Sequence, residues 1–231
     1  MRGGARRFLS RAASAVSDAA KRAVAAVESL VWPKGCQCLC CERLSYGESL
    51  CTDCQKNLND LRLKHESGNL RSAWKYAGSA KALVTALKYN CNGDCAPVLA
   101  EGIAEVIRHM TLPPDTVLTW VTMPDKRMRD RGIDHGQEIC RCVSRITGIS
   151  MRQLLQRSAG SRTQRGLNKE QRLQNLQSAF TCKEPISGAV LLVDDVLTTG
   201  TTIRVCTQAL LEGGASHVYT VTATKAEMNH N

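Results

Sequence analysis

Apolar residues recur at helical spacing from the start of the chain. Leu9, Ala13, Val16, Ala20, Val24, Val27 and Val31 mark one face of a helix over residues 5–31, while Arg7, Arg11, Ser14, Asp18 and Arg22 fall largely elsewhere. Pro33 and Gly35 end it. Three readings of this segment stand: packing on the protein's own body, contact with an anionic membrane or a partner, and a transit-type leader, which Asp18 and Glu28 oppose. From Cys36 to about Lys64 large aliphatic residues thin out. A helical pattern resumes over Trp74 to Asn90, with Leu83, Val84, Leu87 and Tyr89 as its apolar members, and again over Val98 to Met110. Val117 to Met123 is β-branched and apolar, a predicted strand closed by Pro124. A helix follows at about Gly136 to Thr147, and then a polar, Arg/Gln-rich stretch runs from Arg157 to Gln177. The end alternates strand Ala189 to Val193, helix Thr202 to Glu212, the Gly213-Gly214 turn and strand His217 to Ala223. Strands alternating with helices predict an α/β fold with a parallel sheet and flanking helices. The expected division is a basic amino-terminal helix (1–34), a small cysteine module (35–65) and an α/β domain (70–231).

Composition changes this picture in two places. With 31 basic and 21 acidic residues the chain carries a formal charge of +10, which favours anionic partners such as phosphates, nucleic acid or an acidic membrane surface. A basic surface kept for solubility is the plain alternative. The hydrophobic fraction of 43% belongs to a globular protein, and no apolar run approaches the roughly 18 residues of a membrane span. No transmembrane segment is therefore expected.

Cysteine usage is the second. Of 12 cysteines, six fall between Cys36 and Cys54, and Cys91, Cys95, Cys140, Cys142, Cys182 and Cys206 are scattered. Clustered C-x-x-C pairs without an export signal point to a reducing, cytoplasmic setting and to a metal. Cys38-x2-Cys41-x9-Cys51-x2-Cys54 offers four thiolates, a closed tetrahedral set for structural zinc. A segment this short cannot bury enough apolar surface to fold alone, and structural zinc contributes on the order of 10 kcal/mol. Cys36 and Cys40 leave the register open, although only Cys38 and Cys41 mirror the spacing of Cys51 and Cys54. Free or redox-active thiols are the alternative, and Cys91-x3-Cys95 reads as incidental core cysteines before a second partial site.

The main functional signal is Val190-Leu191-Leu192-Val193-Asp194-Asp195-Val196-Leu197-Thr198-Thr199-Gly200-Thr201-Thr202. An apolar strand ends in two carboxylates, where open α/β sheets bind ligands, and a loop of small hydroxylated residues then opens a helix. Gly200 allows backbone N–H groups to approach a phosphate at the helix amino terminus, and the Thr198, Thr199, Thr201 and Thr202 hydroxyls add donors. Asp194 and Asp195 suit two neighbouring ribose hydroxyls. A strand ending in a plain polar turn is the alternative. The loop is not of the Walker type, since no G-K-[ST] is present.

These thirteen residues resemble the motif by which type I phosphoribosyltransferases bind 5-phosphoribosyl-1-diphosphate (PRPP). From about Trp32 onward the chain resembles the ComF family, which joins a four-cysteine zinc module to such a domain. The resemblance rests on Cys38/Cys41/Cys51/Cys54, Leu87-Lys88-Tyr89, Pro124 with Arg127 to Gly132, Gln164-x2-Leu167 and Arg172-x2-Asn175. Where the family usually has an aromatic residue and then Asn after Arg131-Gly132, this chain has Ile133 and Asp134, which adds negative charge near the expected diphosphate. The resemblance implies a diphosphate loop in which Arg127, Arg129 and Arg131 supply charge and Gly132 a close backbone approach. It also implies a flexible loop over Arg157 to Gln177, magnesium bound with the diphosphate, and Asp194 and Asp195 as the catalytic pair. Solvated surface is the alternative for both basic stretches. The implied chemistry is displacement of pyrophosphate from the anomeric carbon by an unnamed acceptor. The implied setting is bacterial DNA uptake in natural transformation (competence), with single-stranded DNA and a competence helicase as partners. A non-catalytic module that senses PRPP or handles single-stranded DNA is the second reading.

Overall fold

The computed structural model describes residues 36–64, 68–90, 92–124, 128, 132–157 and 179–227. The expected amino-terminal helix, Cys91, Arg127, Arg129, Arg131 and all but the first residue of the Arg157 to Gln177 stretch lie outside them. The described chain divides into two compact units, one ending at Cys51 and the other starting at Thr52.

The first unit is a knuckle. The Cys38 amide donates to the Arg43 carbonyl (2.8 Å), the Glu42 amide returns to the Cys38 carbonyl (2.9 Å), and the Ser45 amide donates to the Cys36 carbonyl (2.8 Å). So tight a reversal forces Glu42 and Tyr46 to positive φ, 61° and 53°.

In the second unit the elements run α1 (Thr52–Asp60), β1 (Leu70–Lys75), α2 (Gly78–Tyr89), α3 (Cys95–Arg108), β2 (Val117–Trp120) and α4 (His135–Thr147). They continue with β3 (Leu155–Arg157), β4 (Phe180–Cys182), β5 (Ala189–Leu197), α5 (Thr201–Glu212) and β6 (His217–Lys225). Four strands form a sheet in the order β1-β6-β5-β2, every neighbouring pair parallel, and β3 and β4 form a separate antiparallel hairpin ladder. The parallel sheet with flanking helices expected from the sequence is present. Because β5 is central, its side chains are buried on both faces, which is why its apolar run is continuous. Val190 and Leu192 join Ile203, Cys206 and Leu210 of α5 in one core, together with Leu155 and Phe180 of the hairpin. Trp120 lies on the opposite face, where Gly136 brings α4 against its indole and α3 packs on α4.

Three local expectations are corrected. Trp74 belongs to strand β1, not to the following helix, because Leu70–Lys75 pairs with β6 from Leu70↔Thr220 to Lys75↔Lys225. The strand after Thr116 stops at Trp120, short of Met123. Strand β5 runs on to Leu197 instead of ending at Val193, since its ladder with β6 continues to Leu197↔Lys225. The cysteine-rich stretch contains a helix, α1, in which Asn57 accepts the Ser79 amide at the start of α2 (2.8 Å).

Trp74 is 2% exposed and its ring lies against α3 at Gly102, where an added Cβ would come within 1.9 Å of the indole. A backbone helix surface with no side chain is what lets so large a ring fit. Gly102→Ala is therefore expected to destabilise the protein by about 1–3 kcal/mol despite the better helix propensity of alanine, read as a lower urea midpoint.

Candidate functional site

The cysteines gather as the C-x-x-C spacing predicts. The Sγ atoms of Cys38, Cys41, Cys51 and Cys54 all lie within 4.8 Å of one another. A zinc tetrahedron with bonds of about 2.3 Å has edges of about 3.8 Å, and Cys41 and Cys51 are 3.7 Å apart. The donor set fits structural zinc, and its four thiolates leave no position for substrate. Burial opposes ionisation of Cys38, but backbone N–H groups of Cys51, Cys40 and Cys41 outweigh it and hold the thiol below its ordinary pKa, as a zinc ligand requires. Cys36 and Cys40 are outside the group. The scattered cysteines behave differently. Burial, with the charge of Asp94, pushes Cys95 up to about 11, and burial with the charge of Asp134 pushes Cys140 up to about 12, so both are inert core thiols.

The second site is a cleft of about 370 Å³ at the carboxyl ends of β2 and β5. Lys88 and Tyr89 reach it from α2, Asp134 and His135 from α4, Arg157 and Phe180 from the hairpin, and Asp194, Asp195 and Thr202 from β5 and α5. Asp194 and Asp195 are thus brought together with Thr202. Thr198, Thr199 and Gly200 instead line a second cleft of about 530 Å³, with Leu63, Leu70 and Leu197. The extension of β5 to Leu197 is the cause: it carries the start of the loop past the first cleft. Gly200 has φ 71°, the left-handed region that favours glycine, and its carbonyl accepts the Arg204 amide as α5 begins (2.9 Å). Thr199 and Thr201 pair through their hydroxyls at 3.0 Å, and Thr201 is half-buried. Gly132 also has a positive φ, 73°, with open space where a Cβ would stand.

The acid pair sits in a chain of hydrogen bonds. Lys88 Nζ donates to Asp195 Oδ1 at 2.6 Å, the Asp195 amide donates to Asp194 Oδ1 at 2.9 Å, and Thr224 Oγ1 donates to the Asp195 carbonyl at 3.0 Å. Burial first, and then the charge of Asp195, push the Asp194 carboxyl well above the usual carboxylate range, against the smaller pull of Lys88.

Asp134 has a different role from a diphosphate contact. Its Oδ1 accepts the Gln137 amide (3.2 Å) as the cap of α4, and its Oδ2 accepts Trp120 Nε1 (3.1 Å). A helix amino terminus suits a carboxylate, so the charge of Asp134 is absorbed locally. Two cleft residues, Lys88 and His135, carry little local signal: Lys88 stands out only within Leu87-Lys88-Tyr89, and nothing in the sequence around His135 distinguishes it.

The fold and its clefts define a parallel α/β protein carrying a four-cysteine knuckle. The chain is 30% identical over 156 residues to the DNA utilization protein YhgH of Salmonella typhi, an alignment that covers 64% of this chain and 68% of that protein. The chain belongs to the family of the DNA utilization protein YhgH. No protein-family model matches it. Among solved structures, the glutamine phosphoribosylpyrophosphate (PRPP) amidotransferase of B. subtilis aligns with 55% of this chain at 21% identity and a TM-score of 0.38. The alignment spans 26% of the length of that enzyme. Adenine phosphoribosyltransferase of Leishmania tarentolae aligns with 62% of this chain and 75% of its own, at 15% identity and a TM-score of 0.37. Among the described residues, no helix is long and apolar enough to cross a membrane.

Metal analysis is expected to find zinc in the wild type, Cys36→Ser and Cys40→Ser, and to find none in Cys51→Ser. Retention of zinc by Cys51→Ser would refute the assigned register. Asp194 supplies a pH test. Its pKa is raised on folding, so its contribution favours the folded state in acid and is lost as pH rises through the folded value. Asp194→Asn is accordingly expected to gain stability over the wild type as solution is made alkaline, measured by denaturant unfolding across pH.

Proposed function

We propose that residues 70–231 are a phosphoribosyltransferase-type domain of a ComF-like protein, and that the first cleft binds PRPP as its magnesium chelate. The observation that carries this reading is the adjacent pair Asp194 and Asp195 at a strand end, lining a polar cleft with Thr202. Neighbouring ribose hydroxyls are the ligand feature that two adjacent acceptors match. The amino terminus of α5, which reaches this cleft at Thr202, suits the 5-phosphate. The diphosphate falls to the Arg127, Arg131 and Gly132 segment, of which Gly132 is among the described residues. Magnesium enters on the diphosphate, since Asp134 is engaged as a helix cap and Asp195 with Lys88. In the transfer, the bond from the anomeric carbon to the diphosphate oxygen breaks and pyrophosphate leaves with that electron pair. The acceptor's lone pair forms the new bond and its proton goes to solvent or base. The protein supplies orientation and fixed charge, and no side chain becomes covalently attached.

We extend the relatives' role to this chain as DNA handling, in uptake during natural transformation, with single-stranded DNA and a competence helicase as partners. The formal charge of +10 supports an anionic partner of this kind. The same charge favours the second reading, a module that binds PRPP without turnover and acts on DNA.

PRPP with magnesium is expected to raise the melting temperature of the wild type and to release pyrophosphate with a suitable base or amine. Asp195→Ala is expected to lose both effects. Stabilisation without pyrophosphate across a panel of acceptors would establish the second reading, and no stabilisation at all would end the first.

A further inference from the structure

Lys88 lines the cleft and is given no part of its own in the function above. It stands in the last turn of α2, and its side chain is 22% exposed against 15% for its partner Asp195. Their 2.6 Å contact is therefore sheltered from the screening that makes surface ion pairs weak. Lys88 is itself held in place. Its backbone carbonyl, one of the last on α2, lies 3.1 Å from Nε2 of His135, a residue 1% exposed at the start of α4. A carbonyl only accepts, so that ring nitrogen carries the hydrogen. The ammonium is thus anchored through backbone to α4 and through its charge to β5.

We infer that Lys88 is a positioning residue for the sugar-binding pair: its ammonium takes Asp195 Oδ1 and thereby turns the carboxylate into the cleft with its second oxygen presented to a ligand hydroxyl. This rests on the reading of the cleft as a PRPP site and names a residue that the acid motif by itself does not include. Two adjacent carboxylates in a partly dry cleft repel each other, and one fixed cation lets one of them stay ionised as an acceptor. Among the described residues, the other titratable and charged groups that line the cleft or face the pair do not take this role from their positions. Tyr89 on α2 is 68% exposed, Asp134 on α4 is negative, His135 is committed to the Lys88 carbonyl, and Cys206 on α5 is a buried thiol. Arg157 on β3 lies over the Phe180 ring, 4.8 Å from its centroid.

The experiment uses the full chain with its zinc. PRPP·magnesium affinity is measured by calorimetry across pH for the wild type, Lys88→Met and Lys88→Arg, beside carbon-NMR titration of aspartate carboxyls in the ligand-free proteins, with Asp195→Asn assigning the signal. Removing the ammonium takes away the partner that holds Asp195 Oδ1. Lys88→Met is therefore expected to bind roughly 10- to 100-fold more weakly near neutrality, the effect of one charge-assisted hydrogen bond. The acid limb of its binding curve moves to higher pH, and Lys88→Arg restores most of both. A wild-type pH profile in Lys88→Met, with or without a uniform loss of affinity, overturns the inference. If the wild type does not bind PRPP, the proposed function falls while the carboxyl titration still decides Lys88: an Asp195 midpoint unmoved by Lys88→Met overturns it, and a raised one upholds it.

Discussion

Two carboxylates one residue apart cannot both be buried and charged without help, and the cleft is arranged around that constraint. Asp194 and Asp195 are placed there by β5, which is held in register by β2 on one side and by β6 on the other. The help comes from elements distant in sequence. Lys88 arrives from α2 and Thr224 from β6, while His135 secures Lys88 from α4. Each hydrogen bond is ordinary, but together they tie the strand end to both neighbouring layers, so the acid pair is a product of the whole sheet and not of its own thirteen residues.

The four-cysteine knuckle meets a different requirement by a different route. Its residues supply few apolar side chains, and its turns hold Glu42 and Tyr46 in a conformation that such residues seldom adopt. The four converging thiolates fit a metal ion whose binding would offset that local strain. Leu50, Cys38 and Cys54 are the part of this segment that burial does stabilise.

How much of this was legible in the sequence follows from how local each determinant is. The parallel sheet, the C-x-x-C register and the acid pair are written in short runs: Val190 to Val193, Cys38 to Cys54, Asp194-Asp195. The errors fall where partners are remote. Leu70–Lys75 has no alternating pattern, and only pairing with β6 makes it a strand. Residues Leu155–Arg157 and Phe180–Cys182 pair across more than twenty intervening positions, too far for a turn signal to join them. The extent of β5 was underestimated for the same reason, since polar Asp194 and Asp195 look like a loop until the ladder with Thr222 and Thr224 is known. Asp134 looked like a hostile charge because its two donors, the Gln137 amide and the Trp120 indole, become neighbours only when α4 packs against β2.

The extended β5 has one more consequence. The turn that leaves it, Thr198 to Gly200, forms a wall of the larger apolar recess, and only a few positions on, Thr202 looks into the polar one. One short stretch of backbone thus contributes to the lining of both. A change to this short stretch therefore alters the lining of both clefts together.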